Sequence, residues 1–256
     1  MIKRDPAKPI IFMHIPKTAG STLHQLFHLN FKRNEIYTLG ITGAPTNGKF
    51  SDRHKASIEN LYSLGKSKLS GLKAVIGHMP YGLHEAFDSD AQYITVLRHP
   101  ISRILSHYNF VKENSNHYLH ERLKNEAPTV GDYVERLKSK ELNNGMLRFF
   151  LGRDHNKIPF DGCHREMIEI ALDRVEKRFV NVGIQEHFED SVKLICKSNN
   201  WESLEIESKN ISKSKYTTTL DKDEAESILR YNSLDLLLYE EIRRRFLEGQ
   251  EKTSAP

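Results

Sequence analysis

The sequence predicts an α/β fold with a central, mainly parallel sheet flanked by helices. Three observations predict it. Short apolar runs rich in β-branched residues recur along the chain, at Ile10–Ile15, Lys73–His78, Tyr93–Arg98 and Phe179–Ile184, each with the length of a buried strand. Segments with helical periodicity separate the runs, and strands joined through helices are parallel strands in a covered sheet. Ligands of such sheets bind beyond the carboxyl ends of the strands, and Lys17, His78 and Arg98 stand at the ends of the first three runs.

The first run, Ile10-Ile11-Phe12-Met13-His14-Ile15, stops at Pro16, which has no N–H to give a sheet ladder. Lys17-Thr18-Ala19-Gly20-Ser21-Thr22 follows. Gly20 allows a tight turn or a close backbone approach, and Ser21 or Thr22 can cap a helix running from Leu23 to about Phe31. The amino end of that helix offers unpaired N–H groups and the positive end of its dipole, a setting that prefers phosphate or sulfate. Lys17 adds a full positive charge there. Residues 32–71 are polar and turn-rich, read as a loop region with one short helix around Arg53–Leu64.

After the third run, Pro100 opens a helix to about Val111, with Ile101, Leu105 and Tyr108 on one face. Glu113–Pro128 reads as a polar, mobile excursion. Helices are expected at Thr129–Lys138, Asn143–Leu151, His164–Arg178, Glu186–Lys197, Lys222–Arg230 and Ser233–Leu247. The 256 residues suit one domain over 1–256, with 1–8 and 248–256 frayed at the termini.

Hydrophobic residues make up 38% and charged residues 28%, a folded globular balance. No apolar run approaches the roughly 20 residues of a membrane helix, and no signal core follows the basic start. With Cys163 and Cys196 as the two cysteines, this favours a soluble protein of the reducing cytoplasm; a pairing between the two stays open. The net charge of +4 favours an anionic partner, while the absence of a basic run interleaved with aromatics argues against nucleic acid. His24 with His28 and His117 with His120 have helical spacing suited to zinc, but neither pair has a third ligand nearby, so no metal site is expected.

The turn after the first run departs from the Walker P-loop, in which lysine follows glycine and directly precedes Ser/Thr. Pro16-Lys17-Thr18-Ala19-Gly20-Ser21-Thr22 resembles instead the 5′-phosphosulfate loop of the carbohydrate sulfotransferase family. Arg98-His99-Pro100-Ile101-Ser102-Arg103-Ile104-Leu105-Ser106-His107-Tyr108 resembles that family's 3′-phosphate-binding segment. Gly77-His78-Met79-Pro80-Tyr81 resembles the branch that sulfates hexuronic acids at the 2-O position, where the histidine is the proposed base. Weaker likenesses are Asn143–Gly152, Val182–Phe188 and Leu234–Phe246, and Asn210–Lys215 falls where relatives close a loop over the nucleotide. The resemblance implies a three-layer sandwich of the P-loop NTPase kind. It implies 3′-phosphoadenosine 5′-phosphosulfate (PAPS) as co-substrate and 3′-phosphoadenosine 5′-phosphate (PAP) as product. Pro16, Lys17, Thr18, Ala19, Gly20, Ser21, Thr22, Arg98, Ser106, Lys213 and Ser214 are then expected to bind the nucleotide.

The expected reaction is transfer of a sulfuryl group to a hydroxyl of a carbohydrate, with Lys17 and His78 catalytic and His84 or Glu85 as reserve bases. No metal is expected, since positioning and electrostatic stabilisation carry such chemistry. One rival is a P-loop kinase or NTPase, which would hold magnesium with an aspartate on a neighbouring strand; here those strands end in His78 and Arg98. The other is a non-catalytic relative that binds anionic glycans. The acceptor, the hydroxyl sulfated and the oligomeric state are not encoded in any motif.

Overall fold

The computed structural model describes residues 1–45, 47, 50–87, 91–203 and 219–254. In chain order the elements begin with β1 (Ile10–Met13), α1 (Gly20–Asn30), β2 (Ile36–Thr38), α2 (Phe50–Ser63), α3 (Lys66–Ser70), β3 (Ala74–Gly77) and β4 (Gln92–Leu97). There follow α4 (Pro100–Glu113), α5 (His120–Glu126), α6 (Val130–Leu137), α7 (Gly145–Phe150) and α8 (Glu166–Arg178). The chain closes with β5 (Phe179–Ile184), α9 (Phe188–Asn199), α10 (Lys222–Tyr231) and α11 (Ser233–Ser254). The described residues form two compact units, 1–96 with 173–203, and 97–172 with 219–254.

The first unit carries the sheet, whose strand order is β2-β3-β1-β4-β5. β1 is its middle strand and pairs in parallel with β3 and with β4. Ile10, Ile11, Phe12 and Met13 are all at most 1% exposed, as a strand covered on both faces requires. The chain leaves β1 toward β2 and β3 and then crosses to β4 on the other side. The carboxyl end of β1 therefore lies where the strand order reverses, the usual ligand-binding crevice of an open parallel sheet.

The expected α/β architecture is present, and several local expectations change. β2, a three-residue edge strand, lies inside the segment read as loop; Ile36 and Tyr37 are buried, but so short a run carries no periodicity. The amino terminus is anchored where fraying was expected. The Ile2 N–H donates to the Phe179 carbonyl at 2.9 Å, and the Asp5 N–H donates to Gln92 Oε1 at 2.8 Å. At the other end α11 continues to Ser254, past the Leu247 at which the pattern ends, because charged residues sustain a helix without an apolar stripe.

The second unit is helical. Ile104, Tyr108, Val111, Leu119, Leu123, Val130, Tyr133, Val134, Leu137 and Ile228 form its core around α4, α5, α6 and α10. Glu113–Pro128, read as an excursion, supplies α5 to this core: Leu119, Leu123 and Ala127 are at most 5% exposed, and their four-residue spacing is one helical face. Thr129 caps α6 by accepting the Asp132 N–H at 3.0 Å. The amino ends of α7 and α11 cap each other. Asn144 Oδ1 accepts the Leu234 and Asp235 N–H groups at 3.0 and 3.1 Å, while the Asp235 carboxylate accepts those of Met146 and Leu147 at 3.0 and 2.8 Å.

Candidate active site

The loop after β1 is held in an unusual backbone conformation. Lys17 and Ala19 have φ of 71° and 68°, the left-handed region that non-glycine residues seldom occupy. Strain of this kind costs on the order of 1–3 kcal/mol per residue and persists where the surroundings impose it. Here one restraint is Thr18, 1% exposed, whose hydroxyl donates to the Ile15 carbonyl at 2.8 Å. Alternating left-handed residues turn successive N–H groups to one side, the geometry of an anion-binding nest. α1 begins at Gly20 with Ala19 as its N-cap, and no side chain caps it. The expectation that Ser21 or Thr22 caps the helix is thus replaced by an earlier start, which leaves the first-turn N–H groups to face the loop.

Gly20 is dictated by a neighbour. A Cβ at that position would lie 1.9 Å from His14 Nε2. His14 extends β1 by one residue, its N–H donating to the Gly77 carbonyl at 3.0 Å. Because Met13 pairs with Gly77, His14 and His78 leave adjacent strands side by side, with ring centroids 4.1 Å apart.

His78 Nδ1 lies 2.8 Å from the His14 carbonyl oxygen. A carbonyl only accepts, so Nδ1 carries the proton and the ring lone pair is on Nε2. Burial pushes the His78 pKa below its ordinary value, and the nearby Lys17 charge lowers it further. His14 Nδ1 is 3.3 Å from His24 Nε2, and the His54 ring centroid is 6.0 Å from that of His78. Burial also lowers His24 and His54, each to about 4, and holds His14 well below 6.5. All four shifts favour the neutral ring; the Lys17 charge acts on His14 and His78, and the Arg53 charge on His54. The loop can receive an anion, and His78 can receive a proton.

A sequence model described as the sulfotransferase family matches residues 1–240. The chain belongs to the sulfotransferase family. Membership makes it an enzyme of sulfuryl transfer with PAPS as donor. Among solved structures it is similar to mouse sulfotransferase SULT7A1 complexed with PAP, at 12% identity over 92% of this chain and 68% of that one, with a TM-score of 0.43. It is also similar to a sulfotransferase from Alicyclobacillus acidocaldarius, at 15% identity over 91% of this chain and 95% of that one, with a TM-score of 0.45. No curated protein matches.

Within the first unit of this sulfotransferase, the residues 16–22 loop follows β1 and His78 follows the neighbouring β3, with the Lys17 charge acting on the His78 ring. The reserve base His84 is differently engaged. The Tyr93 hydroxyl accepts the His84 N–H at 3.0 Å and lies 2.9 Å from His84 Nδ1. The same oxygen accepts the Gly82 N–H at 3.3 Å, so with both lone pairs used the phenol donates to Nδ1 and occupies that lone pair.

In the second unit, Arg98 and Ser106 are half-buried, just before α4 and within it. Two other residues of that pattern serve the fold. Arg103, 1% exposed, donates to the Glu141 carbonyl at 2.9 Å and lies 3.8 Å from Asp235 Oδ2; Gly145 makes room for it, since a Cβ there would fall 2.8 Å from Arg103 Nη2. Tyr108 packs in the helical core. Lys213 and Ser214 lie outside the described residues. Sequence reasoning missed His14 and His54. For His14 the available signal is its place directly between strand and loop; His54 has none.

Among the described residues no helix is long and apolar enough to cross a membrane. Cys163 and Cys196 are both free thiols.

Proposed function

We propose that this sulfotransferase transfers the sulfuryl group of PAPS to a hydroxyl of a carbohydrate, with His78 as general base and Lys17 stabilising the leaving group. The observation that carries this reading is the bond from His78 Nδ1 to the His14 carbonyl, which leaves the ring's basic lone pair on Nε2, on a ring that also feels the Lys17 charge. In the proposed step the acceptor O–H gives its proton to His78 Nε2 as its oxygen bonds to sulfur. The bond from sulfur to the bridging phosphate oxygen breaks, and its electron pair stays on that oxygen as PAP forms. Lys17 neutralises the charge growing there, and the N–H groups of residues 18–22 hold the 5′-phosphate and sulfate. Pro16 sets the exit of the chain from β1 into the loop.

Arg98 and Ser106 are assigned to the 3′-phosphate, for which a guanidinium fork and a hydroxyl are suited donors, and Lys213 and Ser214 to closing over the nucleotide. The scheme invokes no metal, because lysine and arginine supply the positive charge. The family match runs through both compact units, which supports reading them as one sulfotransferase domain. The free thiols fit a reducing cytoplasm.

The test is a transfer screen with labelled PAPS against oligosaccharides, lipids and small alcohols, alongside calorimetric titration with PAP. PAP binding and label on an oligosaccharide support the proposal. Label on lipids or alcohols alone overturns the carbohydrate assignment, and no PAP binding at high micromolar ligand favours a glycan-binding relative without activity.

A further inference from the structure

We propose that His107, His117 and Glu141 form a binding site for one divalent transition-metal ion, with zinc the best match. The site lies wholly in the second unit and uses none of the residues assigned to sulfuryl transfer. His107 is on α4, His117 precedes α5, and Glu141 lies between α6 and α7. One ligand atom from each comes within 4.8 Å of the others, the one such trio among the described residues. His107 Nε2 and Glu141 Oε2 are 3.3 Å apart, the edge length expected between two ligands about 2 Å from a tetrahedral zinc. Two imidazoles and a carboxylate are a donor set that zinc and its neighbours accept.

Outer partners orient two of the three ligands. His107 Nδ1 lies 2.7 Å from the Tyr133 hydroxyl, so a proton on Nδ1 has a partner while Nε2 faces Glu141. The Tyr118 hydroxyl donates to Glu141 Oε1, which leaves Oε2 toward His107. Metal-ligating histidines and carboxylates are typically held in this way. An ion pair of protonated His107 with Glu141 accounts for the 3.3 Å contact but calls for no third ligand. Loading the site has one local cost. The Leu119 N–H donates to His117 Nδ1 at 3.2 Å, and that bond is lost whichever ring nitrogen coordinates. His117 must also swing in by up to about 1.5 Å to reach ligand spacing. Tyr118, 68% exposed beside it, leaves this side open to solvent, so a water can complete the fourth position.

The experiment uses the full chain, stripped of metal with a chelator, titrated calorimetrically with Zn²⁺ and, in parallel, with Co²⁺ read by its visible absorption. One ion per chain, a tetrahedral Co²⁺ spectrum and a rise in Tm with Zn²⁺ are expected. His117→Ala keeps the His107–Glu141 pair and so tests the site without opening the core. It should lower Zn²⁺ affinity at least about tenfold and abolish the metal-dependent rise in Tm. Glu141→Gln should weaken binding similarly. His24→Ala, which removes the other helical histidine pair, should leave Zn²⁺ affinity as it is. No saturable one-to-one binding, or binding unchanged by His117→Ala and Glu141→Gln, overturns the proposal and leaves an ion pair only.

Discussion

His78 Nδ1 and the carbonyl oxygen of His14 lie 2.8 Å apart, and this one bond decides which nitrogen of His78 can take a proton. The base role proposed for His78 also requires a neutral ring. Burial and the Lys17 charge both favour the neutral ring, so the acid limb of kcat/KM should fall with an apparent pKa below the ordinary 6.5 of histidine. Lys17→Ala removes one of the two causes, so the His78 pKa should move up, read by NMR of its imidazole without recourse to activity. A downward move or no move would separate Lys17 from His78. His78→Ala should lower kcat by about a hundred-fold or more while PAP affinity stays within a few-fold, because in the proposed scheme His78 meets the acceptor and not the nucleotide. Near-full turnover in that variant removes His78 from the chemistry.

Gly20→Ala should be damaging for a reason that lies in His14. The added methyl would sit 1.9 Å from His14 Nε2, so either the ring or the start of α1 must move. Overpacking of this kind typically costs about 1–3 kcal/mol, and the displaced loop should weaken PAP binding at least about tenfold, since phosphate contacts tolerate little misplacement. Removing the ring should restore the space: PAP affinity in Gly20→Ala/His14→Ala should exceed that in Gly20→Ala. Equal affinities in the single and double variants would show that Gly20 matters for its backbone alone.

Lys17 and His78 are legible in the sequence because each follows an apolar run that reads as a strand on its own. Their meeting is less so. It depends on β3 lying beside β1 in the register Met13 to Gly77, a pairing between residues far apart in the chain that neither run encodes by itself. His14 stands in plain view before the loop, yet its task of holding His78 is done by a backbone carbonyl, which every residue carries. His54 reaches the cluster from α2, in a segment whose turn-rich composition hid both that helix's start and β2. Arg98 and Ser106 are visible as a pattern, and so is Arg103, whose burial against Asp235 belongs to the fold. Spacing alone does not distinguish an arginine that faces a ligand from one that locks helices together.

The histidine cluster makes stability depend on pH in a defined direction. Burial lowers His24 and His54 from the ordinary 6.5 of histidine to about 4. Between those limits the unfolded chain binds more protons than the folded one, so folding stability rises with pH through that window. The contribution is complete above about pH 6.5 and is lost as pH falls toward 4. Tm should therefore drop between pH 7 and pH 5, and His54→Gln, which cannot take the proton, should flatten the drop. A Tm that is level or rising as pH falls over that range would contradict the buried, neutral state of these rings.

Asp235 joins three structures at once: the first turn of α7 through the Met146 and Leu147 N–H groups, Arg103 at 3.8 Å, and its own helix, whose amino end Asn144 caps. Asp235→Asn keeps the shape but removes the charge. The amide has one acceptor oxygen for two N–H donors, and its NH₂ group meets one of those donors head-on, while Arg103 is left buried without its counter-charge. Breaking a buried pair from one side costs about 3–5 kcal/mol, and urea denaturation should read a loss of that size. Arg103→Leu in the same background removes the stranded charge, so the double variant should be less destabilised than the sum of the two single changes. If the losses simply add, Arg103 and Asp235 act independently, and the capping of α7 alone explains the carboxylate.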